Sequence, residues 1–234
     1  MKKTNIPYEE REENAFSLST GDLMAGLLFI FVLLLMSTLL RVVETEEKRT
    51  GIVNEYNNVR DSLYIDLQKE FENDLVAWKA EIDSSLVIRF KEPSTLFDYD
   101  KSVLKPEFKK ILNNFFLRYI KVLREPKFKD HITEIRIEGH TDSKGEYFYN
   151  MELSQNRTRA VLQFCFNLIE EEEIKEWAKK LITANGLSSS RLILNENRAV
   201  NDSLSRRVEF CVRTDAERQL EKIMKSNLDS IPKK

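Results

Sequence analysis

The residues of this chain that could do chemistry fall in two places. The first is Asp22, which stands at the head of an apolar run from Leu23 to Leu40 interrupted by Ser37 and Thr38. A carboxylate inside a membrane is costly, and such groups usually face protein or a water path. The plain alternative is a helix-start carboxylate snorkelling to the interface, with Ser19 or Thr20 as the cap. The second place is a loop-to-helix stretch, IEGHTDSKGEYFYNMELSQNRTRAV, residues 137–161. It brings a carboxylate, Asp142, and a guanidinium, Arg157, into one short segment. Read without context, the two could form an ordinary ion pair inside the protein.

Other chemistries find little support. His131 and His140 are scattered and lack cysteine partners at metal-ligand spacing, so no metal is expected and His140 reads as structural. Cys165 and Cys211 form no CxxC pattern. No pairing of a nucleophile with a base emerges, which argues against an enzyme, and no cofactor is expected. A formal net charge of -2 speaks against a nucleic-acid partner, which would demand a basic face.

The elements that must position these residues follow from periodicity. The 18 residues from Leu23 to Leu40 span roughly 27 Å as a helix, close to the thickness of a hydrocarbon core. A secretory signal has a shorter apolar core and a small-residue cleavage site. Here the run leads into Arg41-Val42-Val43-Glu44, so an uncleaved transmembrane helix is expected over residues 16–43, behind a cytoplasmic tail at 1–15. Lys2, Lys3 and Arg11 before it balance Arg41, Lys48 and Arg49 after it, and charge leaves the orientation tied. A short tail staying where it is made favours a cytoplasmic N-terminus.

Over residues 44–85 apolar side chains recur at Ile52, Tyr56, Val59, Leu63, Leu67, Phe71, Leu75, Trp78 and Ile82. Steps of three and four describe one face of a long helix. So narrow a seam wants a partner, and a parallel homodimer is the simplest; the alternative is a stalk packed on its own domain. From residue 86 the pattern changes. A strand-like SLVIRF, an amphipathic helix carrying Phe108, Leu112, Phe115 and Tyr119, and a strand with Ile135 and Ile137 on one face come in turn. A second helix has Leu153, Val161, Phe164 and Leu168 toward the core, and a last strand has Val208, Phe210 and Val212 facing in. The expected fold is α+β: a transmembrane helix, a helical stalk, an α/β sandwich over 86–214 and a tail at 215–234. Cys165 shares a helix face with Val161 and Leu168, while Cys211 lies on the strand side of Arg207 and Glu209. Strand parity therefore argues against a disulfide within the domain.

The 86–214 segment resembles the OmpA-like peptidoglycan-binding domain. The likeness rests on Gly139-His140-Thr141-Asp142, on Asn150-x-x-Leu153-Ser154-x-x-Arg157, and on Arg206-Arg207-Val208. The resemblance implies a ligand, diaminopimelate in a peptide stem, that presents an ammonium and a carboxylate on one carbon. It assigns Asp142 to the ammonium and Arg157 to the carboxylate, which a planar guanidinium grips at two points. Asn150 and Leu153 occupy positions that shape the family's pocket, with Tyr149 beside them; Asn150 could equally cap its helix. Two departures bear on the pocket rim. LILNENRAVND replaces the usual glycine-rich approach to Arg206, and the acidic Glu170–Glu173 enlarges a connection.

The order of parts resembles the B-type stator subunits of ion-driven motors, the MotB family. That likeness implies that Asp22 carries an ion, by expectation a proton, from one side of the membrane to the other. It also implies a homodimer of this chain, a MotA-like multi-helix partner in five copies, a periplasmic C-terminal domain and a bacterial inner-membrane location. Within that group, FSLSTGDLMAGLL and the Y-N-x-x-L-S-x-x-R helix look like the B subunits of Zorya anti-phage defence systems. Such a motor would act on cytoplasmic defence effectors. A flagellar stator or a passive membrane-to-wall tether are the competing readings, and a tether has no need of Asp22.

Overall fold

The computed structural model describes residues 8–91 and 96–215. The chain forms two compact units, Met1–Val53 and Asn54–Lys234. Most of the expected C-terminal tail, and residues 1–7 of the N-terminal one, lie outside the described residues. Helix α1 (Tyr8–Phe71) contributes to both units.

In the first unit, Gly21–Glu47 is long and apolar enough to cross a membrane. Leu23, Leu27, Phe29, Phe31 and Leu34 are all exposed. An apolar surface on every side of a helix is what lipid requires, and an amphipathic surface helix would not show it. The Thr38 hydroxyl donates to the Leu35 carbonyl at 2.8 Å, so this polar interruption is satisfied within the helix itself.

The second unit corrects the expected stalk. From Val59 onward the seam of α1 packs on its own domain, with Leu63, Leu67 and Phe71 fully buried in the core. The Phe71 ring lies 5.2 Å from Phe115 and 5.8 Å from Trp78. Arg118 stands over Phe71 and bonds Glu70 at 2.7 Å and Asp74 at 2.8 Å. The packing expected against a second copy is, over this stretch, made within one chain; the side chains of Ile52 and Tyr56 lie outside the described set. Nor does the helix continue to Ile82. It ends at Phe71, and a short helix α2 (Leu75–Trp78) follows. Lys79 then takes a left-handed φ of 50° and turns the chain into strand β1 (Ala80–Ile82).

The remaining elements are β2 (Val87–Phe90), α3 (Pro106–Leu123), β3 (Ile132–His140), α4 (Tyr147–Asn167), α5 (Glu172–Leu181), β4 (Ile182–Gly186), α6 (Asp202–Ser205) and β5 (Arg207–Thr214). The sheet runs β1-β2-β5-β3-β4, with β3 and β4 parallel and the other pairs antiparallel. Alternation along the strands sends Ile88, Phe90, Ile135, Ile137, Val208, Phe210 and Val212 to one apolar face. Phe115 of α3 sits at the centre of that core, within ring contact of Phe71, Trp78, Phe90, Tyr119 and Phe210. Pro106 opens α3, where a missing N–H is harmless. Cys165 is buried in this core and Cys211 belongs to the opposite face; both thiols are free, in keeping with strand parity.

Candidate functional site

Two glycines allow α4 to lie on the ends of β3 and β4. A Cβ on Gly139 would meet Thr158 Cγ2 at 2.6 Å, and one on Gly186 would meet the Gln155 nitrogen at 2.3 Å. The contact is then fixed by hydrogen bonds. The Gly186 N–H donates to Gln155 Oε1 at 2.7 Å, and the Ser188 N–H donates to Ser154 Oγ at 3.0 Å. Ser154 of the L-S-x-x-R motif is thus a fastening for the helix, and it sets where Arg157, three residues on, must point.

The loop between β3 and α4 is held as firmly. Thr141 N–H donates to the Ser188 carbonyl. Asn150, buried one turn into α4, donates from its amide to the Lys144 carbonyl at 2.8 Å and lies against Gly145, whose φ of 90° suits glycine. The helix N-cap is Glu146, so the capping role considered for Asn150 does not hold; its job is to brace the loop from beneath. Asp202, in the segment that departs from the family pattern, accepts from Ser143 Oγ at 3.1 Å and pairs with Lys144 at 3.2 Å. The departure therefore supports the Asp142 loop from its far side.

These braces leave a cleft of about 340 Å³ lined by Phe97, Tyr99, Asp142, Lys144, Arg157 and Arg206, among others. Asp142 and Arg157 both face it, but they are not bonded to each other. Asp142 Oδ2 accepts from Arg206 at 2.6 Å, and its Oδ1 accepts from the Lys144 N–H at 3.1 Å. Arg157 donates from Nε to the Lys101 carbonyl at 2.9 Å and from a terminal nitrogen to the Asp98 carbonyl at 3.3 Å. Its guanidinium lies 4.9 Å from the centre of the Phe97 ring. Among the described residues Arg157 makes no ion pair, so its charge remains available to an anion. Burial pulls Arg157 below the ordinary arginine value, and the nearby Arg206 acts in the same direction. An arginine so placed stays charged at neutral pH.

Tyr149 and Leu153 do not line this cleft. Tyr149 is exposed and its hydroxyl donates to Asp100; that bond raises its phenol above the ordinary value. Leu153 is half-buried on α4. Residue-by-residue reading missed Arg206 as a site group. Its motif letter was visible, but its partner was not. Antiparallel pairing sets His140 opposite Arg207, and that register carries Asp142 and Arg206 to the same end of the sheet.

The polar face of the sheet holds a second, closed network. Glu209 Oε1 accepts from Arg89 Nε at 2.5 Å and Arg207 Nε at 2.6 Å, while Arg191 reaches Glu138 at 2.8 Å. His140, buried, stands 3.6 Å from Glu209 and 3.9 Å from Glu138. Burial lowers the imidazole below its ordinary value, so the ring is neutral at pH 7. Burial alone would raise the Glu209 carboxyl, but His140, Arg89 and Arg207 hold it well below the usual range. Glu138, Glu209 and Cys211 converge closely enough to grip a cation. The arginines already bring the positive charge that a cation would, so the group serves as structure.

Residues 96–206 match the OmpA family. The fold and cleft define the class: an OmpA-like domain on a chain that begins with a membrane-length helix. The chain is 40% identical over 222 residues to Zorya protein ZorB of Escherichia coli, across 91% of this chain and 94% of that one, and it belongs to the ZorB family. Outer membrane porin F of Pseudomonas fluorescens is 32% identical over 124 residues, 52% of this chain and 32% of the porin. Among solved structures, a MotB-like protein from Desulfovibrio vulgaris aligns with a TM-score of 0.49 at 19% identity, over 69% of this chain and 98% of that one.

Proposed function

We propose that this chain is the wall-anchored B subunit of a proton-driven inner-membrane motor acting in anti-phage defence. One observation carries the reading: a ZorB-family chain combines a carboxylate at the head of a membrane-length helix with an OmpA-type cleft offering a guanidinium that has no ion-pair partner among the described residues. A tether would need the cleft alone.

In this reading the domain lies in the periplasm, the N-terminus in the cytoplasm, and the cleft takes the diaminopimelate end of a peptide stem. Arg157 receives the ligand carboxylate, held square by its bonds to the Lys101 and Asp98 carbonyls. The ligand ammonium goes to Asp142, sharing that carboxylate with Arg206. Tyr149, Asn150 and Leu153 support the pocket walls from α4. Anchored this way, the chain resists torque while Asp22 takes up and releases a proton. One charge crossing 100 mV supplies about 2.3 kcal/mol. A lone helix cannot wall off such a path, so the motor needs a MotA-like partner, five copies around a homodimer of this chain. Because the α1 seam beyond Val59 is occupied by the chain's own domain, dimer contacts fall to residues ahead of it.

The test is a phage-protection assay of Asp22→Asn. Asn matches Asp in size and helix-capping ability but cannot ionise. The variant should keep its expression and its membrane partner while losing protection. Full protection would leave a passive tether as the better account.

A further inference from the structure

The acidic run Glu170–Glu173, which enlarges the connection between α4 and α5, is not among the residues that line the cleft. All four of its residues are exposed. Glu173 pairs with Arg124 at 2.6 Å and Glu172 lies 3.8 Å from Lys179, whereas Glu170 and Glu171 make no ion pair among the described residues. The run begins three residues beyond Asn167, and Asn167 belongs to a groove of the opposite character. This groove, of about 450 Å³, is lined by Val103, by Lys109 of α3, and by Asn156, Arg159, Gln163 and Asn167 of α4, among others. Among the described residues no carboxylate lines it.

Asn156, Arg159, Gln163 and Asn167 follow one another in steps of three and four, so they share one face of α4, about 16 Å from end to end. The buried residues of the helix, Ser154, Thr158, Val161 and Cys165, occupy another. A solvated helix face ordinarily mixes charges of both signs. Here the side chains of Lys109 and Arg159 are exposed and make no ion pair among the described residues. The side-chain amides of Asn156, Gln163 and Asn167 make no hydrogen bond there either. Val103, 70% exposed, adds apolar surface. One chain therefore carries cations and the acids that would match them side by side, and leaves them unpaired.

We propose that this face is a second interface between two copies of the chain, in which the acidic run of each copy enters the basic groove of the other. A two-fold interface has to be self-complementary, so both members of every contact must lie on one patch. The groove and the run, adjoining at the end of α4, meet that demand. The inference rests on the homodimer of the reading above and adds to its α1 contacts. Exposed ion pairs are individually weak. Copies already joined through α1 meet at high effective concentration, so a face too weak to dimerise by itself suffices. Its consequence is that the clefts of the two copies are held in one fixed relation.

Two differently tagged full-length chains, one carrying Gln163→Cys and the other Glu172→Cys, are co-expressed and oxidised in native membranes. Co-purification of the tags in detergent reports the dimer, and the mixed disulfide reports the face; chains without the introduced cysteines set the background. The disulfide should form. Lys109→Glu with Arg159→Glu in both chains should cut its yield about fivefold or more without loss of co-purification. Adding Glu170→Lys and Glu171→Lys to the same chains should restore it, which a misfolded domain could not do. A yield unmoved by the first pair of reversals, or not restored by the second, would overturn the interface. So would absence of the disulfide from copies that co-purify with their native charges, and the groove would then be open to an acidic segment of another protein. Copies that do not co-purify would remove the homodimer itself, and the interface with it.

Discussion

Gly186→Ala should unseat α4, and the size of the effect can be worked from the contacts. The new Cβ would lie 2.3 Å from the Gln155 nitrogen, 2.7 Å from its Cα and 2.7 Å from Ser154 Oγ. Ordinary contact needs about 3.5 Å, so the helix backbone must retreat by about 1 Å. Two of the three nearest atoms belong to backbone, and no rotamer change can relieve them. Overpacking of this kind costs about 1–3 kcal/mol. The retreat also strains the bonds from Gly186 N–H to Gln155 and from Ser188 N–H to Ser154, at about 1 kcal/mol each. Gly186 is not among the residues with a left-handed φ, so alanine fits its backbone and returns about 0.4–1 kcal/mol through the unfolded chain. The net loss is about 3 kcal/mol. Urea unfolding of the detergent-solubilised full chain, followed by the fluorescence of Trp78 and Trp177, would measure it. Peptidoglycan retention should fall as well, since Arg157 lies on the displaced helix. A stability loss below about 1 kcal/mol with retention intact would refute the idea that these glycines seat the site.

The other predictions concern the clamp and the charged face. Asp142→Ala should abolish retention of the folded chain on peptidoglycan. Arg157→Lys should weaken it about tenfold or more despite the conserved charge, because an ammonium cannot hold the Lys101 and Asp98 carbonyls and still present a planar fork; equal retention by Arg157→Lys would sink the two-point grip. Glu209 has a folded-state pKa below its unfolded one, so its contribution is complete above the ordinary carboxylate range near pH 4.3 and is lost as pH falls below it. His140, buried neutral, adds acid sensitivity from about pH 6.5 downward, where the unfolded chain takes up a proton that the folded one refuses. Glu209→Gln should lower stability by about 3 kcal/mol at neutral pH and flatten the melting profile below about pH 4. A profile parallel to the wild type would show that Glu209 does not govern it.

Where a pattern reports burial, it is legible without coordinates; where it must report a partner, it is not. Alternation at Ile135, Arg136, Ile137 and Glu138 identifies the two sides of β3, because a sheet with one covered face imposes a period of two. The same logic separates Cys165 from Cys211. The seam of α1 is equally plain, but periodicity says only that a face is covered. It cannot distinguish a second copy from the chain's own core, which is where Leu63, Leu67 and Phe71 are spent. Trp78 and Ile82 continued the seam's spacing although the helix had already ended, because a short turn and a three-residue strand happen to fall in phase with it.

The site divides along the same line. Its letters are readable: Asp142 on the loop and Arg157 on the helix. What makes them a site is register. Only the pairing of β3 with β5 brings Arg206 to Asp142, 64 residues apart in the chain. That pair changes what the carboxylate can do. Held by Arg206 on one oxygen and by the Lys144 N–H on the other, Asp142 is already oriented toward the cleft before any ligand arrives. Under the proposed wall-binding reading, an incoming ammonium would not have to order a free side chain; it would share one that is fixed, beside a second guanidinium. Such a cleft favours ligands that bring a carboxylate along with their ammonium, because an amine alone would enter against the charge of both Arg157 and Arg206.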